Sequence, residues 1–352
     1  MKTIDDKRPP RAVVVGYGFA GRDFHSYLIG ITPGLDLHGV FVRDAERRAR
    51  AARDRPDARL YDAYEDVLAD LDVDLVILAT PSATHAELAI AALNAGKHVV
   101  SDKVMCLSLA DCDRMIEAAH RNDALLSVFQ NRRWDGDFLT LRALMKDGAL
   151  GDVRWVEMAW QGMGAWGGWR GKAEMGGGRF WDLGAHLVDQ TCLLFPQPVE
   201  SVYCRMHHDY ADSDIDSEAL IVVTFAGGCT AVCDLSGMTT VSKPRFLAHG
   251  SRATFAKHGL DPQEKAMIAA DIDAAREDPA NFGRVKESKS EERIVPTLPG
   301  RWRTYYENIA DTLNGRAESF VTLSSVRRAM SVLDAAKRSA EAGEVVRLPA
   351  ES

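Results

Sequence analysis

With 352 residues, the chain is long enough for two domains, each with a core of its own. Its 43 basic and 51 acidic residues leave a net charge of −8 with no basic block, which argues against nucleic acid or an anionic membrane surface as partner. Hydrophobic residues at 46% and charged residues at 27% describe an ordinary globular chain, and no apolar run reaches membrane-spanning length.

Residues 1–10 are polar and lack the apolar centre of a signal peptide, so the expected location is the cytoplasm. An apolar, β-branched run, Ala12-Val13-Val14-Val15, then reads as a buried strand. It is followed at once by Gly16-Tyr17-Gly18-Phe19-Ala20-Gly21, and Phe24, Tyr27, Leu28 and Ile31 recur at helical spacing behind it. Strand, glycine turn and helix in that order suit a dinucleotide pyrophosphate. Gly16 allows the tight turn, Gly18 lets the phosphates approach the backbone, and Gly21 lets helix and strand pack closely.

The same alternation continues through residue 128. Residues 35–42, 74–80, 98–100 and 125–129 read as strands. Thr84 with Glu87 forms a capping-box pattern opening a helix that ends near Gly96, and residues 108–122 read as another helix. Such alternation predicts parallel strands in a doubly wound sheet.

Beyond it the pattern changes. After a helix over 138–146, residues 153–161, 199–206, 219–225 and 230–235 are strand-like, with Ala226-Gly227-Gly228 as a hairpin turn. A helix over 180–194 interrupts them, and helices over 303–313 and 325–342 close the chain. Residues 257–300, charged and carrying Pro262, Pro279, Pro296 and Pro299, read as an excursion outside the core. The expected fold class is α/β. A dinucleotide-binding domain (1–128) is followed by a substrate-binding and oligomerisation domain (129–352) with a large, mostly antiparallel open sheet.

Asp182, His186 and Asp189 fall at i, i+4 and i+7, one face of a helix. A histidine beside a carboxylate can take a proton from a hydroxyl. A solvated polar stripe, an N-terminal cap by Asp182 and a metal site are the other readings of the same spacing. Ser101-Asp102-Lys103 and Thr80-Pro81 stand at the carboxyl ends of predicted parallel strands, the rim that faces a ligand crevice in such sheets; a solvated loop is the alternative. Trp166 and Trp169 lie in a glycine-rich loop near Arg170 and Lys172, a combination that suits a polyol, whereas Trp155 and Trp160 lie in a strand and are expected in the core. The six cysteines form no C-x-x-C pair and read as reduced, buried thiols; His207-His208 has no third ligand nearby and reads as a surface pair, so no metal is expected.

Together, the glycine run, Ala79-Thr80-Pro81-Ser82-Ala83-Thr84-His85, Ala95-Gly96-Lys97-His98-Val99, Asp102-Lys103 and Asp182-x-x-x-His186 resemble the Gfo/Idh/MocA oxidoreductases. Within that family, the stretches over 128–140 and 257–264 are similar to the NADP-dependent scyllo-inositol dehydrogenase branch. The resemblance implies hydride transfer between nicotinamide and a cyclitol or sugar carbon. It assigns Lys103 as the catalytic lysine, Asp182 as the substrate-orienting carboxylate and His186 as the general base. Cofactor contacts are implied for Gly16, Gly18, Phe19, Ala20, Gly21, Arg43, Thr80, Pro81, His85, Asp102, Lys103 and Asn131. Substrate contacts are expected of Lys103, Trp134, Asp182 and His186, and, from the glycine-rich loop, of Trp166 and Arg170.

The family's usual Glu-Lys-Pro reads Asp102-Lys103-Val104 here. The acid is one methylene shorter and the proline is gone, so an altered loop geometry with Lys103 retained is expected. In Val40-Phe41-Val42-Arg43-Asp44, the position where an acid would bind a ribose 2′-hydroxyl falls at Phe41 or Val42, with Arg43 next. That favours NADP over NAD. The expected molecule is a homodimer or homotetramer acting on a small polyol or sugar. A non-catalytic nucleotide-sensing regulator on the same fold, or a redox enzyme for another keto-sugar or a glycoside, are the alternatives.

Overall fold

The computed structural model describes residue 4 and residues 8–349, so most of the N-terminal run read for a signal peptide lies outside the described residues. The chain divides into two units, residues 1–130 with 265–273 and 302–327, and residues 131–264 with 274–301 and 328–352. A single boundary near residue 128 was expected; instead two later segments return to the first unit.

The first unit holds a six-stranded parallel sheet of β1 (Arg11–Val15), β2 (Asp36–Phe41), β3 (Arg59–Tyr61), β4 (Leu75–Leu78), β5 (His98–Ser101) and β6 (Leu126–Val128). Every residue of β4 and β5 is buried, as parallel strands covered on both faces require. The order β3-β2-β1-β4-β5-β6 reverses at β1, so the topological switch point lies between β1 and β4. This is the predicted doubly wound plan.

The helix after the glycine turn differs from the expected one. Ala20–Ser26 winds as a π-helix before a single α-turn over Tyr27–Gly30. The Ser26 hydroxyl donates to Gly21 O at 2.7 Å. This wider winding turns the buried face to His25, Leu28, Ile29 and Thr32. Phe24 instead stacks on Trp302 (5.7 Å between centroids, 21° between planes), and the Tyr27 hydroxyl accepts from Ile272 N at 3.1 Å. Both partners lie on the returning segments. The predicted capping box at Thr84 does not form either: its hydroxyl donates to Pro81 O at 2.8 Å and meets Thr80 Oγ1 at 2.7 Å, within a short 3-10 turn (Ser82–Thr84) ahead of the helix His85–Asn94.

The second unit is built on a nine-stranded sheet. Its strands are β7 (Val153–Gln161), β8 (Val199–His207), β9 (Glu218–Phe225), β10 (Thr230–Ser236), β11 (Phe246–Gly250), β12 (Ala253–Lys257), β13 (Gly283–Glu287), β14 (Arg293–Val295) and β15 (Val346–Arg347). Their order is β14-β13-β12-β11-β7-β10-β9-β8-β15, antiparallel except for the β7–β10 pair. The Ala226-Gly227-Gly228 turn joins β9 to β10 as predicted.

The segment 257–300 is not simply an excursion, since β13 and β14 within it extend the sheet. Neither strand stands out in the sequence because each buries few apolar side chains, Val285 and Val295 foremost. Trp155 and Trp160 cannot share the core. Five residues apart on one strand, they point to opposite faces, and Trp155 is 38% exposed.

The helix predicted over 180–194 breaks at Leu183 into Arg179–Asp182 and Gly184–Leu194. The longer piece lies directly on the sheet: a Cβ on Gly184 would meet Leu235 Cδ1 at 3.3 Å and Ile221 Cδ1 at 3.8 Å.

Candidate functional site

In the first unit, the carboxyl ends of β1, β2, β4 and β5 carry most of the residues with predicted cofactor roles. Gly16 has φ +99°, and a Cβ there would lie 2.4 Å from Ala79 O, so only glycine permits the approach of β1 to β4. A Cβ on Gly21 would lie 2.0 Å from Gly16 O. Gly18 is different. A Cβ there meets nothing nearer than Arg47 Nη1 at 3.7 Å, which leaves its backbone open to a ligand. Gly16 and Gly21 therefore form the turn, while Gly18 leaves the cradle that a pyrophosphate fits. Phe19 is exposed at 43% and packs edge-on to Phe24, and Ala20 starts the helix.

Arg43 follows β2 and is exposed, with no ion pair or side-chain hydrogen bond among the described residues. Asp44 is committed as a helix cap, its Oδ1 accepting from Arg47 N at 2.8 Å. Arg47 is a residue the sequence reading missed. It is exposed, its guanidinium has no acidic partner among the described residues, and it lies beside Gly18. Its neighbours Arg48 and Arg50 pair with Asp62 and Glu46. The signal was available: one turn past Arg43, directly behind a capping aspartate.

Thr80 and Pro81 stand past the end of β4 as predicted. His85 corrects its prediction. It is fully buried, with Nδ1 2.8 Å from Val104 O and Nε2 2.9 Å from Thr80 O, so it offers no surface to a ligand and instead ties the two rim loops together. Burial pulls its imidazole below the ordinary histidine range, against the opposing pull of Asp102 and the two carbonyls.

Asp102 is also turned inward. Its Oδ1 accepts from Lys103 N at 2.7 Å and its Oδ2 lies 3.6 Å from His25 Nε2, while His25 Nδ1 meets the Tyr306 hydroxyl at 2.7 Å. Burial alone would raise this carboxyl; His25, with Lys103 and His85, outweighs it and holds the group down at about 2. The carboxylate expected to reach a ribose therefore braces the loop instead. Lys103 follows it, half-buried, and the Lys103–Val104 peptide is cis although Val104 has replaced the proline.

In the second unit, Gly184–Leu194 carries His186, which is 5% exposed and stacks on Trp160 with centroids 5.9 Å apart and planes at 24°. Asp182 ends the preceding short helix across the break and accepts from Arg170 Nε at 3.2 Å. That short helix starts at Gly178 (φ +94°), where a Cβ would lie 2.0 Å from Asp216 Oδ1, and Asp216 Oδ2 accepts from Phe180 N at 2.9 Å. Asp189 leaves the predicted stripe altogether and pairs with Arg133.

Arg170 lies over the Trp169 ring and Arg179 over Trp166, at 4.8 and 4.6 Å. Trp166 also lines, with Lys172, Asp209 and Tyr210, a cavity of about 540 Å³. Trp134 ends the turn Asn131–Trp134, and its carbonyl accepts from Arg301 N and Gln263 Nε2. Asn131, at the start of that turn, is buried, and its Nδ2 has no hydrogen-bond partner among the described residues. Its amide donor suits a ligand carbonyl.

The two stretches similar to one family branch prove to be neighbours. Gly136 N donates to Asp261 Oδ2 at 2.6 Å, Gln263 reaches the Trp134 carbonyl and Arg132 pairs with Glu264.

The sequence matches the description "Oxidoreductase family, NAD-binding Rossmann fold" over residues 10–130 and "GFO/IDH/MocA C-terminal domain" over residues 138–256. The chain is 33% identical over 340 residues to the uncharacterised oxidoreductase YdgJ of Escherichia coli K12, covering 94% of this chain and 96% of that protein. The chain belongs to the GFO/IDH/MocA oxidoreductase family. It is thus an NAD(P)-binding oxidoreductase. A second family member, the scyllo-inositol 2-dehydrogenase (NADP(+)) IolW of Bacillus subtilis, is 29% identical over 351 residues, covering 95% of each chain. Among solved structures, an NAD-binding protein from Listeria innocua superposes with a TM-score of 0.85 at 29% identity, over 97% of this chain and 100% of that one.

The six cysteines are free thiols, all buried except the half-buried Cys229, and His207 and His208 are exposed. Among the described residues, no group of three or more His, Cys, Asp or Glu side chains is placed to hold a metal ion, and no helix is long and apolar enough to cross a membrane.

Proposed function

We propose that this oxidoreductase interconverts a secondary alcohol and a ketone on a cyclitol or sugar, with NADP as the preferred cofactor. The observation that carries the reading is the retention, in a chain similar to IolW along its whole length, of Lys103, Asp182 and His186 at the family's motif positions. A carbinol carbon cannot lose hydride until its hydroxyl proton is leaving, so a base and a cation must attend that oxygen.

His186 takes the hydroxyl proton on its imidazole. The Lys103 ammonium stabilises the oxygen as negative charge develops. Asp182, steadied by Arg170, accepts from a neighbouring hydroxyl and fixes which carbon is presented; Trp134 and Trp166 offer apolar faces to the ring. The nicotinamide, when bound, supplies the hydride acceptor. Gly16, Gly18 and Gly21 with Phe19 and Ala20 would hold the pyrophosphate, and Thr80, Pro81 and the Asn131 amide would supply further cofactor contacts. Arg43 would hold a 2′-phosphate, since no acid stands at the end of β2 and Asp44 is occupied as a cap. Free thiols fit a cytoplasmic enzyme, and a homodimer or homotetramer is the expected assembly.

A panel of cyclitols, aldoses and keto-sugars, assayed by nicotinamide absorbance with NADP and NAD, tests this. Turnover of a cyclitol or sugar with NADP preferred is expected, and His186→Ala should abolish it with cofactor binding kept. No turnover across the panel would favour a nucleotide-sensing protein on the same fold. A strong preference for NAD would remove the Arg43 assignment, and an active His186→Ala would remove the base.

A further inference from the structure

We infer that Trp160 is a positioning residue for His186, held in place by the guanidinium groups of Arg132 and Arg245. This inference rests on the reading of His186 as the base. Trp160 is the penultimate residue of β7, and its indole stacks nearly parallel on the imidazole. Within the same ring distance, a tilted or edge-on arrangement is equally available to aromatic pairs. The shallow 24° angle therefore restricts rotation of the imidazole about its own bond to the chain.

The indole is itself fixed. Arg132 Cζ lies 4.6 Å and Arg245 Cζ 4.8 Å from its ring, and both arginines are buried. Each guanidinium is anchored in turn. Arg132 pairs with Glu264 and lies 3.5 Å from Asp135; Arg245 donates to Gln190 Oε1 at 3.1 Å and to Ala159 O at 3.4 Å, with Asp137 at 3.9 Å.

Gln190 closes the circuit. It stands one turn beyond His186 on the same helix, and its Nε2 donates to Arg132 O at 2.9 Å. The helix that carries the imidazole and the ring that faces it are thus locked to the same two arginines. Buried ion pairs are poor sources of stability, because apolar replacements of similar volume often do as well. Two of them converging on one indole beside a candidate base are better explained by geometry. The imidazole nitrogen offered to the substrate hydroxyl is held in one orientation.

The test compares Trp160→Met, which fills volume without a stacking face, with Trp160→Phe, which keeps one. Trp160→Met should lower kcat about tenfold to a hundredfold, with KM for the cofactor within about twofold, and Trp160→Phe should recover most of the loss. In histidine-labelled NMR spectra, the His186 ring protons, assigned by their absence in His186→Ala, should be shifted upfield by the indole in the wild type. That shift should vanish in Trp160→Met. Wild-type kcat in a folded Trp160→Met, or equal loss in both variants, overturns the inference. So does a wild-type spectrum without the upfield shift, a measurement that does not depend on any variant folding. Should His186→Ala remain active, it is the base assignment that fails, and the spectrum still reports on the stacking.

Discussion

Arg133 grips Asp189 at two points, Nε to Oδ2 at 2.8 Å and Nη2 to Oδ1 at 2.6 Å, with both side chains buried. Asp189 is on the His186 helix and Arg133 on the turn Asn131–Trp134, so the pair anchors the helix that presents the candidate base. Breaking one side of a buried ion pair leaves the other charge uncompensated. Asp189→Asn should therefore cost about 3–5 kcal/mol in urea unfolding. Replacing both partners, as Arg133→Met with Asp189→Leu, should restore part of that loss. An unchanged urea midpoint for Asp189→Asn would show the pair to be dispensable.

The glycine turn predicts two different phenotypes from one kind of substitution. Gly21→Ala drives a Cβ to 2.0 Å from the Gly16 carbonyl, a backbone contact that cannot swing aside, so the melting temperature should drop. Gly18→Ala meets only the flexible end of Arg47 at 3.7 Å, so the free protein should melt as the wild type does. Its loss should appear only with ligand. At a hundredfold excess over Kd, NADP should stabilise the wild type by about 2.7 kcal/mol and Gly18→Ala by far less. Equal cofactor-induced shifts in both proteins would move the pyrophosphate away from Gly18.

What could be read in the sequence was whatever local spacing encodes. Four consecutive buried residues in β4, the Ala226-Gly227-Gly228 turn and the β7 boundaries all follow from periodicity and turn chemistry. Long-range partners were hidden. Nothing near Phe24 or Tyr27 announces that Trp302 and Ile272 will cover them, and nothing near Thr84 says that its hydroxyl is already engaged by Pro81 and Thr80. The candidate site divides the same way. Motif spacing singled out Lys103, Asp182 and His186 as candidates, and it also assigned ligand contacts to His85 and Asp102, which turn inward to brace the rim. A motif marks where a side chain stands in the chain; burial decides which way it faces.

Arg43 and Arg47 yield a prediction about cofactor choice. Both guanidiniums are exposed and neither has an ion-pair partner among the described residues, while Asp44 between them is spent on the helix cap. A charge-assisted hydrogen bond to a phosphate contributes about 1.5–3 kcal/mol. Arg43→Gln and Arg47→Gln should each weaken NADPH binding about tenfold to a hundredfold, with NADH binding almost unaffected, as read by the change in nucleotide fluorescence on titration. If both nucleotides weaken alike, the arginines serve the pyrophosphate and do not select the 2′-phosphate.

Asp216 sets a pH dependence whose sign follows from its burial. Desolvation pushes this carboxyl from 3.8 up to about 6, although the Phe180 N–H and its own N–H pull the other way. The folded chain therefore binds the proton more tightly than the unfolded chain does. The stability gained from the neutral carboxyl is fully present below the unfolded value near 3.8 and is lost as pH rises through about 6. The loss amounts to roughly 2–3 kcal/mol above that point. Asp216→Asn keeps an oxygen for the Phe180 N–H but cannot titrate. From about pH 4 to about pH 7, its unfolding free energy should rise relative to the wild type by that amount, read from urea unfolding at matched pH values. Parallel profiles for the two proteins would mean that Asp216 is ionised throughout, and that its backbone donors, not desolvation, govern its proton.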